Sequence, residues 1–568
     1  MVRSALAIIL PASTVLGTAL VLAQTDGAEK KVTIDQNVDP VTLSRYHHTD
    51  QGTRLIPAAW LAAAQKADGS GPVMSATNLR DSGFIMDDRQ ADPSNPYRWP
   101  VGFTVSDPGV SGGVPMAGFT CALCHTGQIE YKGTAIRIEG GQAYIDMPGF
   151  VTALAAALVA TANDPQRRQK FFADAIAAGY PADRMEKDFE AGVALFKKQL
   201  QTTQGHAITQ LRTGRGRLDA VQGIANQVFA ADLDVPANTK DLDAPVNFPY
   251  LWDIWRLSWL QYNGFLPPQA TSRNIGEVLG SKGRTYLVDS QTGVLNPEPQ
   301  RWRSSIQLNN INWMEKTLEG LRAPTWPADM LGPIDQAKAT AGRALFGEHC
   351  AGCHGIKELP NGQWDVTVVP LTHIGTDPNQ ATHWAGRTYD ASKLGLSSST
   401  PAYDLDIAVN EIRRQLYADN NTPASEQEPD VAFAAPCGYK ARPLIGVWAT
   451  PPFLHNGSVR TIYDLLSDTR PATFTFGSRE YDPVHLGYTE ADSPDPVVLD
   501  ISIPGNRNTG HWWTDEANRP GRIGRRLSED EKNAIIEYLK AASYENYPSM
   551  KVSQTAPLPC EGNKNWAR

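Results

Sequence analysis

Two short stretches of this sequence repeat one arrangement of reactive side chains. CALCH holds Cys121, Cys124 and His125, and CAGCH holds Cys350, Cys353 and His354. On a helical turn, residues i and i+3 share a face and i+4 lies beside them. The pattern therefore aims two thiols and one imidazole at one place. Two thiols can form thioethers with the vinyl groups of a haem, and the adjacent histidine then lies under the iron as proximal ligand. Three other readings compete. A zinc site needs four ligands, and each motif supplies three at a spacing that strains a tetrahedron. A thioredoxin-like dithiol needs no histidine after its second cysteine. Chance would have to act twice in a chain with 11 histidines among 568 residues. Two covalently bound haem c groups are the expectation.

The opposite face of each iron separates electron carriers from enzymes. A carrier fills it, often with Met, and an enzyme leaves it open or weakly held. After the second motif the only methionine is Met550, in the tail, and the histidines are His373, His383, His455, His485 and His511. His511 sits in GNRNTGHWW, a Gly- and Asn-rich loop that can bring an imidazole close to a flat macrocycle. It is the expected distal ligand of the second haem. Downstream of the first motif lie Met147, Met185 and His206, the last read as structural, so an open first haem is expected. The stretch NFPYLWDIWRLSWLQYNGFLPP concentrates aromatics, including Trp252 and Phe265. Most such residues fill a core. One or two could carry electrons between irons or wall an open site.

The elements that must position these groups read as mostly helical. IDQAKATAGRALFGEHCAGCH is a helix entering the second motif. LSEDEKNAIIEYLKAAS carries a Ser528 cap, acidic residues in its first turn and apolar Ile535, Ile536 and Leu539. A helix into the motif and a C-terminal helix across it suit a cytochrome c domain. GFVTALAAALVATANDPQRRQKFFADAIAAG is also helical in period. The expected fold is mainly α, two cytochrome c-like haem domains with long loops and little β structure. The expected divisions are an N-terminal haem domain with insertions over 24–325 and a C-terminal cytochrome c domain over 326–568.

Residues 1–23 read as a secretory signal peptide, with Arg3, an apolar run and a small residue at Ala23. An uncleaved membrane anchor is the alternative, weakened by Pro11, Ser13, Thr14 and Thr18. A periplasmic or secreted protein without stable membrane insertion is expected. Net charge is −9 and no basic cluster is present, which argues against nucleic acid as a partner. Of six cysteines, four lie in the motifs, and Cys437 and Cys560 can form one disulfide tying down the tail.

YKARPLIGVWATPPFLHNGSVRTIYDLL resembles a signature of the dihaem bacterial cytochrome c peroxidase superfamily. HHTDQGTRLIPAAWLAA, FTCALCHTGQIEYKGTAIRIEGGQA, GRGRLDAVQGIANQVFA, RNIGEVLG, IGTDPNQA and GNRNTGHWW resemble its longer branch, which contains the haem-dependent rubber oxygenases. The resemblance implies His125 and His354 as proximal ligands, His511 as distal ligand of the second haem, and a first haem free to bind O2 or H2O2. It also implies Trp252 as an inter-haem tryptophan, Phe265 near the phenylalanine over the active haem, and a structural or haem-edge role for His455. By analogy with the peroxidases a calcium ion could lie between the domains, although no loop demands it. The chain departs from the shorter peroxidases in lacking a Met or Tyr ligand after HNGS, and it looks shorter than the rubber oxygenases.

Several functions follow from the resemblance. An oxygenase would take an apolar alkene beside bound oxygen. A peroxidase would draw electrons from a small redox protein. An electron carrier would have both haems six-coordinate, and a haem-containing modifier would act on another protein.

Overall fold

The computed structural model describes residues 30–87, 89, 94–110, 112–203, 214–289, 292–490, 496–550 and 560. The expected signal peptide and His206 lie outside the described residues.

The first half begins with β1 (Lys30–Thr33), α1 (Pro40–His48) and β2 (Ile56–Pro57), followed by β3 (Phe103–Val105) and β4 (Met116–Phe119). Next come the one-turn helix α2 (Cys121–Cys124), β5 (Thr126–Tyr131) and β6 (Thr134–Glu139). Strands β5 and β6 form a hairpin that pairs Thr126 with Glu139. Its two-residue turn, Lys132-Gly133, has φ of 48° and 73°. Two left-handed residues give a turn whose twist matches that of the flanking strands. Strand β1 adds parallel to β6, and β2, β4 and β3 form a second three-stranded sheet. Three helices follow, α3 (Met147–Asn163), α4 (Pro165–Ala177) and α5 (Met185–Thr203). The helical period across 149–179 is broken at Asp164, because the residue before a proline is driven out of the α region. Asp164 caps α4 instead, accepting from the backbone of Gln166 and Arg167.

Further along the chain lie α6 (Ala270–Gly280), α7 (Leu308–Gly320), α8 (Gln336–His349), α9 (Ala351–His354), β7 (Thr367–Pro370), β8 (Gly438–Ala441) and α10 (Glu529–Ala541). Strands β7 and β8 pair antiparallel, with Ala441 opposite Thr367. One buried apolar cluster draws on both halves of the chain, from Tyr46 to Tyr547. A second, around α3–α5, is confined to residues 55–248. Among the described residues no helix is long and apolar enough to cross a membrane.

The expectation of a mainly α fold built as two cytochrome c-like domains is overturned. Of the described residues 40% are helical and 16% extended, spread over many small sheets, which makes the architecture mixed α/β. The reason is local. Around the first motif the chain runs extended in TGQIEY and TAIRIE, which are buried over most of their length, and strands β4 and β5 flank α2 directly. The helical stretch after the first motif does not lead into it but packs beside it, in the cluster that takes in Leu123.

Candidate haem-binding sites

The second motif is delivered by two crossing helices. Asp335 caps α8 by accepting from Lys338, and α8 runs into Cys350 and α9. Gly342 lets α10 cross α8 backbone to backbone, since a Cβ there would collide with the Ala534 carbonyl. Phe346 meets Tyr538 across the crossing, with ring centroids 5.2 Å apart. Ser528 and Glu531 cap α10 reciprocally, as the Ser528 signal predicts. The His354 and Cys353 backbone amides both donate to the Cys350 carbonyl. Burial pushes the Cys350 thiol up to about 12.

His354 Nδ1 donates to the carbonyl of Arg442 at 2.8 Å. A carbonyl only accepts, so the proton is on Nδ1 and the Nε2 lone pair is left for a metal. The His511 ring lies 6.4 Å from the His354 ring, centroid to centroid, at 60°. An axial imidazole nitrogen sits about 2 Å from its metal, so two rings sharing one metal have centroids about 6 Å apart. The observed pair fits that spacing. His511 Nδ1 is buried without a hydrogen-bond partner. Burial first, then His354 and Arg470, hold its imidazole down to about 3 and therefore neutral.

The loop that carries His511 is clamped from behind. Arg470 donates to the carbonyls of Gly510 at 2.9 Å and His511 at 3.0 Å, and also to that of Asn508. Its guanidinium lies 4.0 Å from the Trp512 ring, which also receives Arg519 at 3.8 Å. His511 itself has φ of 51°. The other candidate ligands are engaged elsewhere or exposed. His455 stacks on Tyr439 at 3.8 Å, His383 pairs with Asp243 at 3.2 Å, and His485 pairs with Asp482 at 2.7 Å. His373 is exposed. Met550 donates its backbone amide to Ile356, and its sulfur lies 3.9 Å from the Thr367 hydroxyl.

The first motif is built differently. Strand β4 leads into Thr120, whose hydroxyl caps α2 by accepting from Ala122. Gly102 lies against Leu123 so closely that no side chain fits there. Gln51 accepts from the Cys121 amide at 3.0 Å and from its thiol at 3.1 Å. Burial pushes Cys121 up to about 12 and raises Cys124 further. His125 Nδ1 donates to the Pro249 carbonyl at 2.7 Å, the same tautomer-fixing contact that His354 makes. Burial holds His125 down to about 4. The aromatic ring beside it is Phe248, at 6.2 Å.

Trp252 is 1% exposed, donates from its indole nitrogen to the Ile445 carbonyl at 2.9 Å, and stacks on Tyr250 at 4.4 Å. It lies three residues beyond Pro249, between the segments that hold the two histidines. Phe265 is buried against Trp384 at 4.1 Å and Phe433 at 5.3 Å. The disulfide between Cys437 and Cys560 is present. Among the described residues no group of three or more His, Cys, Asp or Glu is arranged to hold a metal ion.

Sequence reasoning missed a set of buried charges near the first motif. Arg273 on α6 pairs with Glu315 on α7, and Gln261 donates to Glu277 at 2.6 Å. Arg273, Glu277 and Glu315 all act electrostatically on Cys121. The signal was within RNIGEVLG, where Arg273 and Glu277 stand four apart on one helix face. A second missed cluster joins His47 to Glu139 at 2.7 Å and His48 to Asp87 at 2.8 Å, with Arg89 between the imidazoles.

A Cys-x-x-Cys-His turn between crossing helices, with an opposed imidazole, defines a cytochrome c-like site, and such a site takes haem c. Residues 438–475 match the family described as RoxA-like, cytochrome c-like, which supports a haem-binding oxidoreductase. The chain is 34% identical over 572 residues to Uncharacterized protein y4iJ of Sinorhizobium fredii, covering 90% of this chain and 93% of that one. This protein belongs to the same family as y4iJ. A second Sinorhizobium fredii protein, Uncharacterized protein y4iM, is 32% identical over 256 residues, or 42% of this chain and 55% of that one.

Proposed function

We propose that the protein is an exported dihaem c oxidoreductase that uses O2 or H2O2 at its first haem and holds or relays electrons at its second. Cys121 and Cys124 would tether the first haem above His125, and Cys350 and Cys353 the second, between His354 and His511. The haems would supply the redox chemistry, and the chain its ligands, burial and access. The observation that carries this reading is the unlike surroundings of the two motif histidines. His354 has the imidazole of His511 at 6.4 Å, whereas among the described residues the ring paired with His125 is Phe248, next to the Pro249 that holds its Nδ1.

The first reading of the activity is oxygenation of an apolar alkene, supported by the aromatic group Phe265, Trp384 and Phe433 and by the RoxA-like match. The half-buried Gln261–Glu277 pair near the Cys121 turn favours a second reading. In that reading a polar group assists O–O cleavage of peroxide and a small redox protein donates electrons.

Visible and EPR spectra of the purified protein with imidazole, peroxide and, after reduction, carbon monoxide test the proposal. One haem is expected to exchange ligands and the other to resist, with His206→Ala unchanged. Two low-spin haems that ignore every ligand would make the protein an electron carrier. Squalene with O2, against H2O2 with a reduced small cytochrome, then separates the two enzyme readings. Fractionation of cells making the full chain tests export.

A further inference from the structure

The carbonyls that hold His125 and His354 are joined through one side chain. The His354 ring donates to the carbonyl of Arg442 itself. The Arg442 guanidinium donates from Nη1 to the Tyr250 carbonyl at 2.9 Å and from Nη2 to the Trp252 carbonyl at 3.1 Å. Pro249, whose carbonyl receives the His125 ring, is the residue before Tyr250. The same guanidinium covers the Tyr250 ring at 3.4 Å, and the Tyr250 hydroxyl donates to the Pro443 carbonyl at 2.5 Å. Residues 249–252 and 442–443 are thus laced together, and each strip ends on one motif histidine.

Arg442 is 8% exposed, and its Nε has no hydrogen-bond partner. Among the described residues it touches backbone carbonyls and an aromatic face and forms no direct ion pair, although the Asp253 carboxyl lies close enough to feel its charge. A buried cation held by carbonyls without a direct ion pair is costly, and perturbed buried charges of this kind cluster where their field or their geometry is used. Lys440, two residues back, feels the same crowding: burial, then Arg442 and Arg273, hold its ammonium well below the usual lysine range.

We propose that Arg442 is a positioning residue that couples the two haem sites, its buried positive charge raising both reduction potentials and its carbonyl and guanidinium fixing both proximal imidazoles. Reduction removes one positive charge from an iron, so a fixed cation nearby favours the reduced form. A charge laced equally to both proximal segments acts on both irons, whereas a group that supports one site moves one potential. The inference rests on the dihaem reading above.

Spectropotentiometric titration of the full-length holoprotein, with haem content measured on the same samples, tests it. In Arg442→Gln both midpoint potentials should fall, each reduction equilibrium by on the order of tenfold, about 59 mV for a one-electron couple. Arg442→Lys keeps the charge and loses the two-carbonyl grip. It should hold both potentials near wild type while the EPR signal of the His125-ligated haem broadens, because the freed carbonyls belong to the strip that holds His125. A shift confined to one haem in Arg442→Gln, or no shift in either, overturns the proposal while leaving two haems per chain intact. If Arg442→Gln does not accumulate, a fall of both potentials in Arg442→Lys equal to or larger than tenfold overturns it as well. Wild-type protein with one haem per chain would overturn the dihaem reading itself, and the coupling with it.

Discussion

The rings of His354 and His511 face each other with centroids 6.4 Å apart, although the two residues reach that position by opposite means. His354 ends a one-turn helix and is locked by a hydrogen bond from its own ring. His511 sits in a left-handed backbone conformation and is locked from behind, through its carbonyl and those of its neighbours, by Arg470. Removing His511 and removing its clamp should therefore have different effects. His511→Ala should open the second haem, so that added imidazole binds where the wild type resists it. Arg470→Ala should leave His511 present but mobile, giving a mixed-spin signal at the same site. Titration with imidazole, followed in the visible region, distinguishes the two.

Gly342 sits where α8 and α10 touch, and a Cβ there meets the Ala534 carbonyl and the Cβ of Tyr538. Backbone cannot give way as a flexible side chain does. Gly342→Ala should therefore cost about 1–3 kcal/mol in spite of the better helix propensity of alanine. Denaturant unfolding followed at the second haem should record the loss, and the hairpin of β5 and β6 should be unaffected.

The two motifs, the Ser528 cap, the helix crossing near the second motif and the Cys437–Cys560 bridge were legible because each is a local or compositional signal. The β structure was not. In TGQIEYKGTAIRIE the alternation is short and interrupted by polar residues, and the turn that makes it a hairpin depends on Lys132, an unusual residue at positive φ. Arg273, Glu277 and Glu315 could not be placed beside Cys121 from sequence, because they reach it from helices that follow it by more than a hundred residues. Arg442 lies within a family-like stretch, but its role depends on the carbonyls of Tyr250 and Trp252.

His455 offers a pH test away from the proposed ligands. It is stacked on Tyr439, and burial, then Arg217, hold its imidazole down to about 3. Unfolded, it titrates near its ordinary value of about 6.5. Between those two values the unfolded chain binds the extra proton, so stability falls as pH drops through that window and levels off below about 3. The contribution of this one group is on the order of several kcal/mol. His455→Phe keeps the stacking surface and removes the proton. The variant should lose less stability than wild type between pH 6.5 and 4, as read from denaturant midpoints at each pH.

The disulfide closes a sequence separation of 123 residues. Loop-closure entropy alone sets its contribution at about 5 kcal/mol at most, less whatever order the unfolded chain retains. Cys560→Ser should lower the denaturation midpoint accordingly. It should leave the first haem's ligand exchange unchanged, because Cys437 adjoins β8 and not the Cys121 turn.

Glu277 decides between the two enzyme readings. Burial raises its carboxyl above the ordinary range, Arg273 opposes that, and Gln261 donates to it at 2.6 Å. A carboxyl so placed can hold a proton at higher pH than usual and give it up to a developing charge, a role that contributes about 10²–10⁴-fold where it operates. If the protein turns over peroxide, Glu277→Gln should slow that turnover by roughly this factor while the spectrum of the second haem stays as it was. If it oxygenates an alkene beside the aromatic group of Phe265, the same variant should change the rate by less than tenfold. Phe265→Ala should then be the more damaging change, through loss of packing against Trp384. Steady-state rates of both variants with both substrate pairs separate the two outcomes.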